Sequence, residues 1–321
     1  MKRTLLALLV LLPLSVLGQV PGKPNLLPSK EWIAFQWEGA SLGKRYFDKA
    51  FMQVPFQIGS LPHRFTVQFD LGATSSMVYG NSIAPYLLAY PELSSKLDTL
   101  HKPHRIQNVQ YGSFKDITIH LDNTPFKLKE LMYFEGFGKP LTADSVNSPT
   151  EKHIGTLGAS FFRNKVLIID YPNQKLIVID SLDSETEKRF DFLQCRMEKG
   201  RVKIPLTIGN KTHWAMFDTG SSIFPLVTGK KHFRKLTDAA ITDTLAVSSW
   251  GENYPAIGRK TKQPIKVGSA IVSEQPMVYL MPNFRRFFKE EKMIGLTGNA
   301  LFLENVVAVD FKNGKFGILR E

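Results

Sequence analysis

The sequence predicts a mainly β protein of two lobes related by an internal pseudo-twofold repeat. Two repeated blocks carry that prediction. "VPFQIGSLPHRFTVQFDLGATSS", from Val54, returns as "IPLTIGNKTHWAMFDTGSS" from Ile204. "IGTLGASFFRNKVLIIDYPNQKLIVID", from Ile154, returns as "IGLTGNALFLENVVAVDFKNGKFGIL" from Ile294, without a gap and at an offset of 140 (294 − 154). The blocks keep their order, and each consists of short apolar runs punctuated by Gly and Asn turns, the grammar of hairpins.

Taken in order, "MKRTLLALLVLLPLSVLGQ" has two cations, an apolar run too short to span a bilayer comfortably, and small or aliphatic residues before Gly18. It reads as a secretory signal peptide over 1–18, cleaved between Gly18 and Gln19, and so as an exported protein, periplasmic or extracellular. Residues 19–48 form a lead-in able to add a strand to the first lobe. The N-terminal lobe covers 49–183, a linker with the polar run Ser181 to Asp191 at its start covers 184–200, and the C-terminal lobe covers 201–321. Short helices are expected at Ala159 to Arg163, Asn283 to Glu291 and Ala300 to Glu304. Asp170 and Asp310 precede Asn-containing turns and look structural.

Composition narrows the chemistry. Cys195 is the sole cysteine, so no intrachain disulfide forms, and with no partner histidine in view it reads as a structural thiol. The formal charge of +12 becomes +10 once Lys2 and Arg3 leave with the signal peptide, a balance that favours anionic surfaces in general. "GKKHFRK" (Gly229 to Lys235) and "GRKTKQPIK" (Gly258 to Lys266) lack the interleaved aromatics of a nucleic-acid platform and read as solvated faces. No later run approaches the ~20 apolar residues of a membrane span. His101 and His104 flank Pro103, which spoils the helix that would aim them together, and no acidic or cysteine cluster completes a metal set. No phosphate loop or nucleophile elbow is present, so neither metal nor cofactor is expected.

The repeated hairpins each end in Phe-Asp, at Asp70 and Asp218. Two carboxylates held about 3 Å apart cannot both ionise cheaply, so they share one proton. One can then accept a proton from an attacking water while the other donates to the substrate carbonyl. Loops brought that close need small residues beside the aspartates: Gly72 and Ala73 in one copy, Gly220 and Ser221 in the other.

On these residues the chain resembles the bilobal aspartic proteases of the pepsin and retropepsin superfamily. Asp218-Thr219-Gly220-Ser221-Ser222 matches the family's Asp-Thr-Gly-Ser/Thr motif, and Asp70-Leu71-Gly72-Ala73-Thr74 matches it with Leu71 in place of threonine. Ile154-Gly155 and Ile294-Gly295 are similar to the apolar-apolar-Gly element that follows each aspartate. The resemblance spans most of Val54 to Glu321. It implies a two-lobed acid-protease fold, a catalytic dyad of Asp70 and Asp218, and support from Gly72, Ala73, Thr74, Thr219, Gly220 and Ser221. It also implies that Gly155 and Gly295 let a strand cross behind each loop, that the Thr219 hydroxyl bonds the opposite loop, and that a monomer cleaves a peptide or protein substrate bound extended. Tyr111-Gly112 stands where such enzymes place a hairpin flap, and equally fits a plain turn between strands. Leu71 removes one hydroxyl of the reciprocal grip, about 1 kcal/mol if water replaces it, which keeps open a second reading, a catalytically impaired binding or inhibitor protein of the same fold. A basic protein that binds polyanions is a third.

Overall fold

Alternation sets the backbone first. From Ala50 onward, Ala50, Met52, Val54, Phe56 and Ile58 are buried and the residues between them are more exposed, so the segment runs extended with one face on a core. The computed structural model describes residues 26–27, 30–106, 109–249 and 252–320. Strand outweighs helix, 49% to 18%, which makes the protein mainly β. The expected signal peptide and its cleavage point lie outside the described residues. No helix among the described residues is long and apolar enough to cross a membrane.

From Glu31 the chain forms one unit. Its first half contains β1 (Ile33–Ala34), β2 (Gln36–Leu42), β3 (Arg45–Ile58), β4 (Phe65–Asp70), β5 (Met77–Tyr79), α1 (Gly80–Ala89), α2 (Pro91–Ser94), β6 (Leu97–Asp98), β7 (His104–Ile106), β8 (Val109–Tyr111), β9 (Ser113–Leu121), β10 (Thr124–Phe134) and β11 (Lys152–Gly158). Eight of these strands make one sheet, ordered β2-β3-β4-β11-β5-β10-β9-β6, while β7 and β8 pair only with each other. There follow β12 (Val166–Asp170), β13 (Lys175–Ile179), α3 (Ser184–Lys188), β14 (Phe190–Gln194), β15 (Arg196–Glu198), β16 (Arg201–Ile208), β17 (Lys211–Phe217), β18 (Leu226–Thr228), α4 (Lys230–Leu236), β19 (Asp243–Ser249) and β20 (Glu252–Lys260). The chain closes with β21 (Ile265–Val267), β22 (Ala270–Ser273), β23 (Met277–Leu280), α5 (Arg285–Glu290), β24 (Gly295–Thr297), β25 (Val306–Asp310) and β26 (Lys315–Leu319). The second large sheet is ordered β19-β20-β23-β18-β24-β17-β16-β21-β22, with β15 also on β16.

The sequence repeat is a repeat of pairings. β4 runs parallel to β11, and β17 parallel to β24; β11 is antiparallel to β5, and β24 to β18; β5 is parallel to β10, and β18 to β23. Equivalent phenylalanines meet in each copy, Phe69 with Phe162 at 5.5 Å and Phe217 with Phe302 at 5.3 Å between ring centres. Gly59 and Gly209 turn the two hairpins at positive φ, 59° and 63°, where a side chain would add strain.

A third sheet, β1-β13-β12-β25-β26-β14, takes strands from both copies. Its central pair obeys the repeat: Val166 faces Asp310, Asp170 faces Val306, and Ile168 faces Ala308, its own counterpart at the offset of 140 (308 − 168). Asp170 and Asp310 hold the adjoining turns, each accepting from the backbone N–H and side-chain amide of the asparagine three residues on, Asn173 and Asn313.

The three expected short helices are present, two as single 3-10 turns, Ala159–Phe162 and Asn299–Leu301, and the third as a 3-10 turn, Pro282–Phe284, that leads into α5. The basic run at 229–235 is largely α4, with Phe233 buried and its lysines outward. The 184–200 stretch is no bare linker: Asp183 caps α3 by accepting Thr186 N–H at 2.8 Å, β14 lies on β26, and β15 pairs with β16. The lead-in gives β1 to the third sheet and β2 to the first. The hairpin of β2 and β3 also reaches residues of the second copy, with Arg45 paired to Asp243 at 2.6 Å.

Candidate active site

Each aspartate ends or follows a strand whose buried residues fix it in depth. Phe65, Val67 and Phe69 anchor β4 below Asp70; Ala215, Met216 and Phe217 anchor β17 below Asp218. Each chain then turns tightly enough for the aspartate to accept from its own loop. Gly72 and Ala73 N–H donate to Asp70 Oδ1 at 2.8 and 3.1 Å, and Gly220 and Ser221 N–H donate to Asp218 Oδ1 at 3.0 and 3.2 Å.

The two loops meet face to face. A Cβ on Gly72 would fall 2.3 Å from Asp218 Oδ1, and one on Gly220 would fall 2.4 Å from Asp70 Cγ. Neither position admits a side chain while the carboxyl groups stay where they are. The two carboxyls therefore sit where the loops meet, each against the glycine of the opposite loop.

Thr219 is fully buried, and its hydroxyl crosses between the loops. It accepts Leu71 N–H at 2.8 Å and donates to Phe69 C=O at 3.0 Å. Leu71 cannot return these bonds. Its side chain is wholly buried in the main apolar core, so the departure from the motif exchanges a polar crossing for apolar packing.

The pair is electrostatically unequal. Burial first, and then the neighbouring Asp218 charge, push Asp70 up to about 8. Burial also raises Asp218, but Ser221 Oγ donates to its Oδ2 at 2.9 Å, a stabilisation of the carboxylate that Ala73 cannot give Asp70. The shared proton therefore belongs on Asp70 and the charge on Asp218.

A cavity of about 380 Å³ opens over the dyad. Besides the two loops it is lined by Gln68, Thr156, Tyr79, Phe51, Phe137, Met216, Phe284, Phe287, Leu296 and Arg201. Tyr79 is held by a hydrogen bond between its hydroxyl and Thr156 Oγ1. A smaller cavity of about 120 Å³ adjoins it, sharing Phe51, Gly220, Ser221, Phe284 and Leu296 and otherwise walled mainly by apolar residues such as Ile223, Phe224, Val227 and Met281.

Other expected residues fall elsewhere. Tyr111 faces His104 at the foot of the β7–β8 hairpin and packs edge-on against Phe134 at 4.7 Å, outside the lining of the dyad cavity. Gly112 is not a turn: it links β8 to β9, and a Cβ there would lie 2.3 Å from Asp98 O. Asn108, which began the flap motif, lies outside the described residues. Gly155 and Gly295 allow close approach to Met77 O and Val227 O, on β5 and β18. The glycines directly behind the aspartate loops are Gly158, against Ser75 O and Ala73 O, and Gly298, against Ser221 O. The ungapped repeat pairs these two at its offset of 140 (298 − 158). Thr74 is exposed and packs against the turn at Gly200. Cys195 is buried and pushed up to about 12, a thiol kept protonated and inert.

Sequence reasoning missed Tyr79, Phe51, Phe287 and Arg201. They come from four separate segments, and no local pattern marks them. No protein-family model matches the chain, and no curated protein matches it.

Proposed function

We propose that this protein is an exported aspartic endopeptidase with a two-lobed, pepsin-like fold and Asp70 and Asp218 as its catalytic pair. The observation that carries the proposal is the reciprocal approach of the loops, in which the missing Cβ of each glycine makes room for the opposite carboxyl group. The matched strand pairings of the two copies support the fold.

In the proposed reaction Asp218, the charged partner, takes a proton from water as its oxygen attacks the peptide carbonyl carbon, and Asp70 gives its proton to the carbonyl oxygen. The tetrahedral adduct then collapses: the C–N bond breaks as the nitrogen is protonated from Asp218, and Asp70 recovers a proton from a hydroxyl of the adduct. Atoms and charge balance without metal or cofactor. The small apolar cavity beside Gly220 suits one apolar side chain next to the scissile bond.

A binding or inhibitor protein of the same fold is the second reading, favoured by Leu71. Against it, both carboxyl groups are present where the loops meet, and Thr219 by itself supplies two hydrogen bonds that tie the loops. The test is cleavage of a diverse peptide library from acidic to neutral pH by the wild-type chain and by Asp218→Asn. Cleavage lost in the variant supports the enzyme. A folded wild-type chain, free of residues 1–18, that cuts nothing at any pH overturns it in favour of the binding protein.

A further inference from the structure

We infer that Arg201 forms a carboxylate-binding subsite in the cleft, so that the preferred peptide carries an acidic side chain close to its apolar one. This inference rests on the peptidase reading above. Arg201 is the one cation among the described residues lining the dyad cavity, where Phe51, Phe284, Phe287 and Leu296 supply the apolar part of the wall.

Its position is built rather than incidental. Arg201 opens β16 immediately after a two-residue turn, Lys199-Gly200, both at positive φ, 52° and 74°. That turn packs on the Asp70 loop: a Cβ on Gly200 would lie 3.2 Å from Thr74 Cβ. The guanidinium lies 5.3 Å from the centre of the Phe287 ring, which also lines the cavity, and the side chain is three-quarters buried.

The charge on Arg201 is not used up within the protein. Its acidic neighbour, Glu291, is 3.9 Å away, whereas Lys199 and Lys203 approach the same carboxylate at 2.9 and 2.8 Å. Those two lysines hold Glu291 at about 2, and Lys203 takes Glu198 as well at 2.9 Å. Of the three cations around Glu291, the guanidinium that borders the cleft is the one farthest from the carboxylate. A planar fork of donors beside apolar walls selects a carboxylate over a neutral amide of the same shape.

The experiment compares peptides that share an apolar centre and differ only by Glu or Gln at successive positions on either side of the scissile bond. At one position, Glu should raise kcat/KM by about 10–100-fold through KM, the value of one charge-assisted bond. Arg201→Met should bring that ratio to about 1, and Arg201→Lys should keep part of it. A merely structural role for Arg201 would lower both peptides alike and leave the ratio unchanged. No Glu preference at any position overturns the subsite while leaving the peptidase intact. If neither peptide is cut, the peptidase reading fails, and the subsite is judged by binding of the same pair with a reduced scissile bond: equal affinities, or a preference that survives in Arg201→Met, overturn it.

Discussion

Across the site, the hydroxyl of Thr219 accepts the amide hydrogen of Leu71 at 2.8 Å and donates in turn to the carbonyl of Phe69. One buried side chain therefore satisfies two backbone groups of the other copy. Thr219→Val keeps the shape and leaves both groups unpaired, at about 1–3 kcal/mol each. We expect a loss of roughly 2–4 kcal/mol in denaturant unfolding and a matching fall in peptidase rate. A variant as stable as wild type would show that the crossing bonds contribute nothing.

Leu71→Thr restores the motif on paper. It also removes apolar volume from a fully buried site, at about 1–3 kcal/mol. Because Thr219 already ties the loops, the variant should be less stable and no faster. A higher kcat would mean that the missing hydroxyl limits the enzyme.

Ser221→Ala equalises the two loops, since Ala73 already occupies the corresponding place. Without the Ser221 bond to Oδ2, Asp218 ionises less readily. The acidic limb of the pH–rate profile should move to higher pH by about one pH unit, the worth of one bond to a charged group. An unmoved limb would place the charge on Asp70.

Stability should fall as pH rises. Both aspartates are raised in the folded protein, Asp70 to about 8, against about 3.9 in an unfolded chain. The folded state therefore binds more protons between those values. The contribution is complete below the unfolded value and is lost as pH climbs through the folded one. Asp70→Asn removes the stronger proton holder and the repulsion with it, so urea unfolding should show the variant gaining on wild type from pH 4 to 8. Parallel curves would contradict the raised pair.

Gly72→Ala tests the approach of the loops. The new Cβ, 2.3 Å from Asp218 Oδ1, must push the carboxyls apart. A displacement near 1 Å costs about 100-fold in rate, so kcat should fall at least that far while the circular dichroism spectrum stays that of a β protein.

The aspartates, the glycines between them and the repeated strands were legible because each depends on local pattern: period-two burial, turn glycines, and one motif written twice. Phe162 and Phe302 were already matched in sequence and prove to face Phe69 and Phe217. The walls of the cleft were not legible. Arg201, Phe51 and Phe287 converge only through the fold, and Phe51 looks like an ordinary solvent-side strand residue, 37% exposed. Tyr111 could not be placed from sequence because a Tyr-Gly pair has the same appearance at the foot of a hairpin as at its tip. Helix α1 was missed because it is short and contains Pro85, which breaks its periodicity.

The third sheet has a consequence for the timing of assembly. Its seam joins β12 to β25, so Ile168 must wait for Ala308, and β14 must wait for β26. Each copy can close its own hairpins early, since those contacts are near in sequence, but pairings separated by so many residues form late. The contact between the loops that carry Asp70 and Asp218, which Thr219 makes directly, is of the same long range and belongs with these late pairings. A partly synthesised or partly unfolded chain thus holds the two aspartate loops apart, and on the proposed peptidase reading each is an inert half-site until folding is finished.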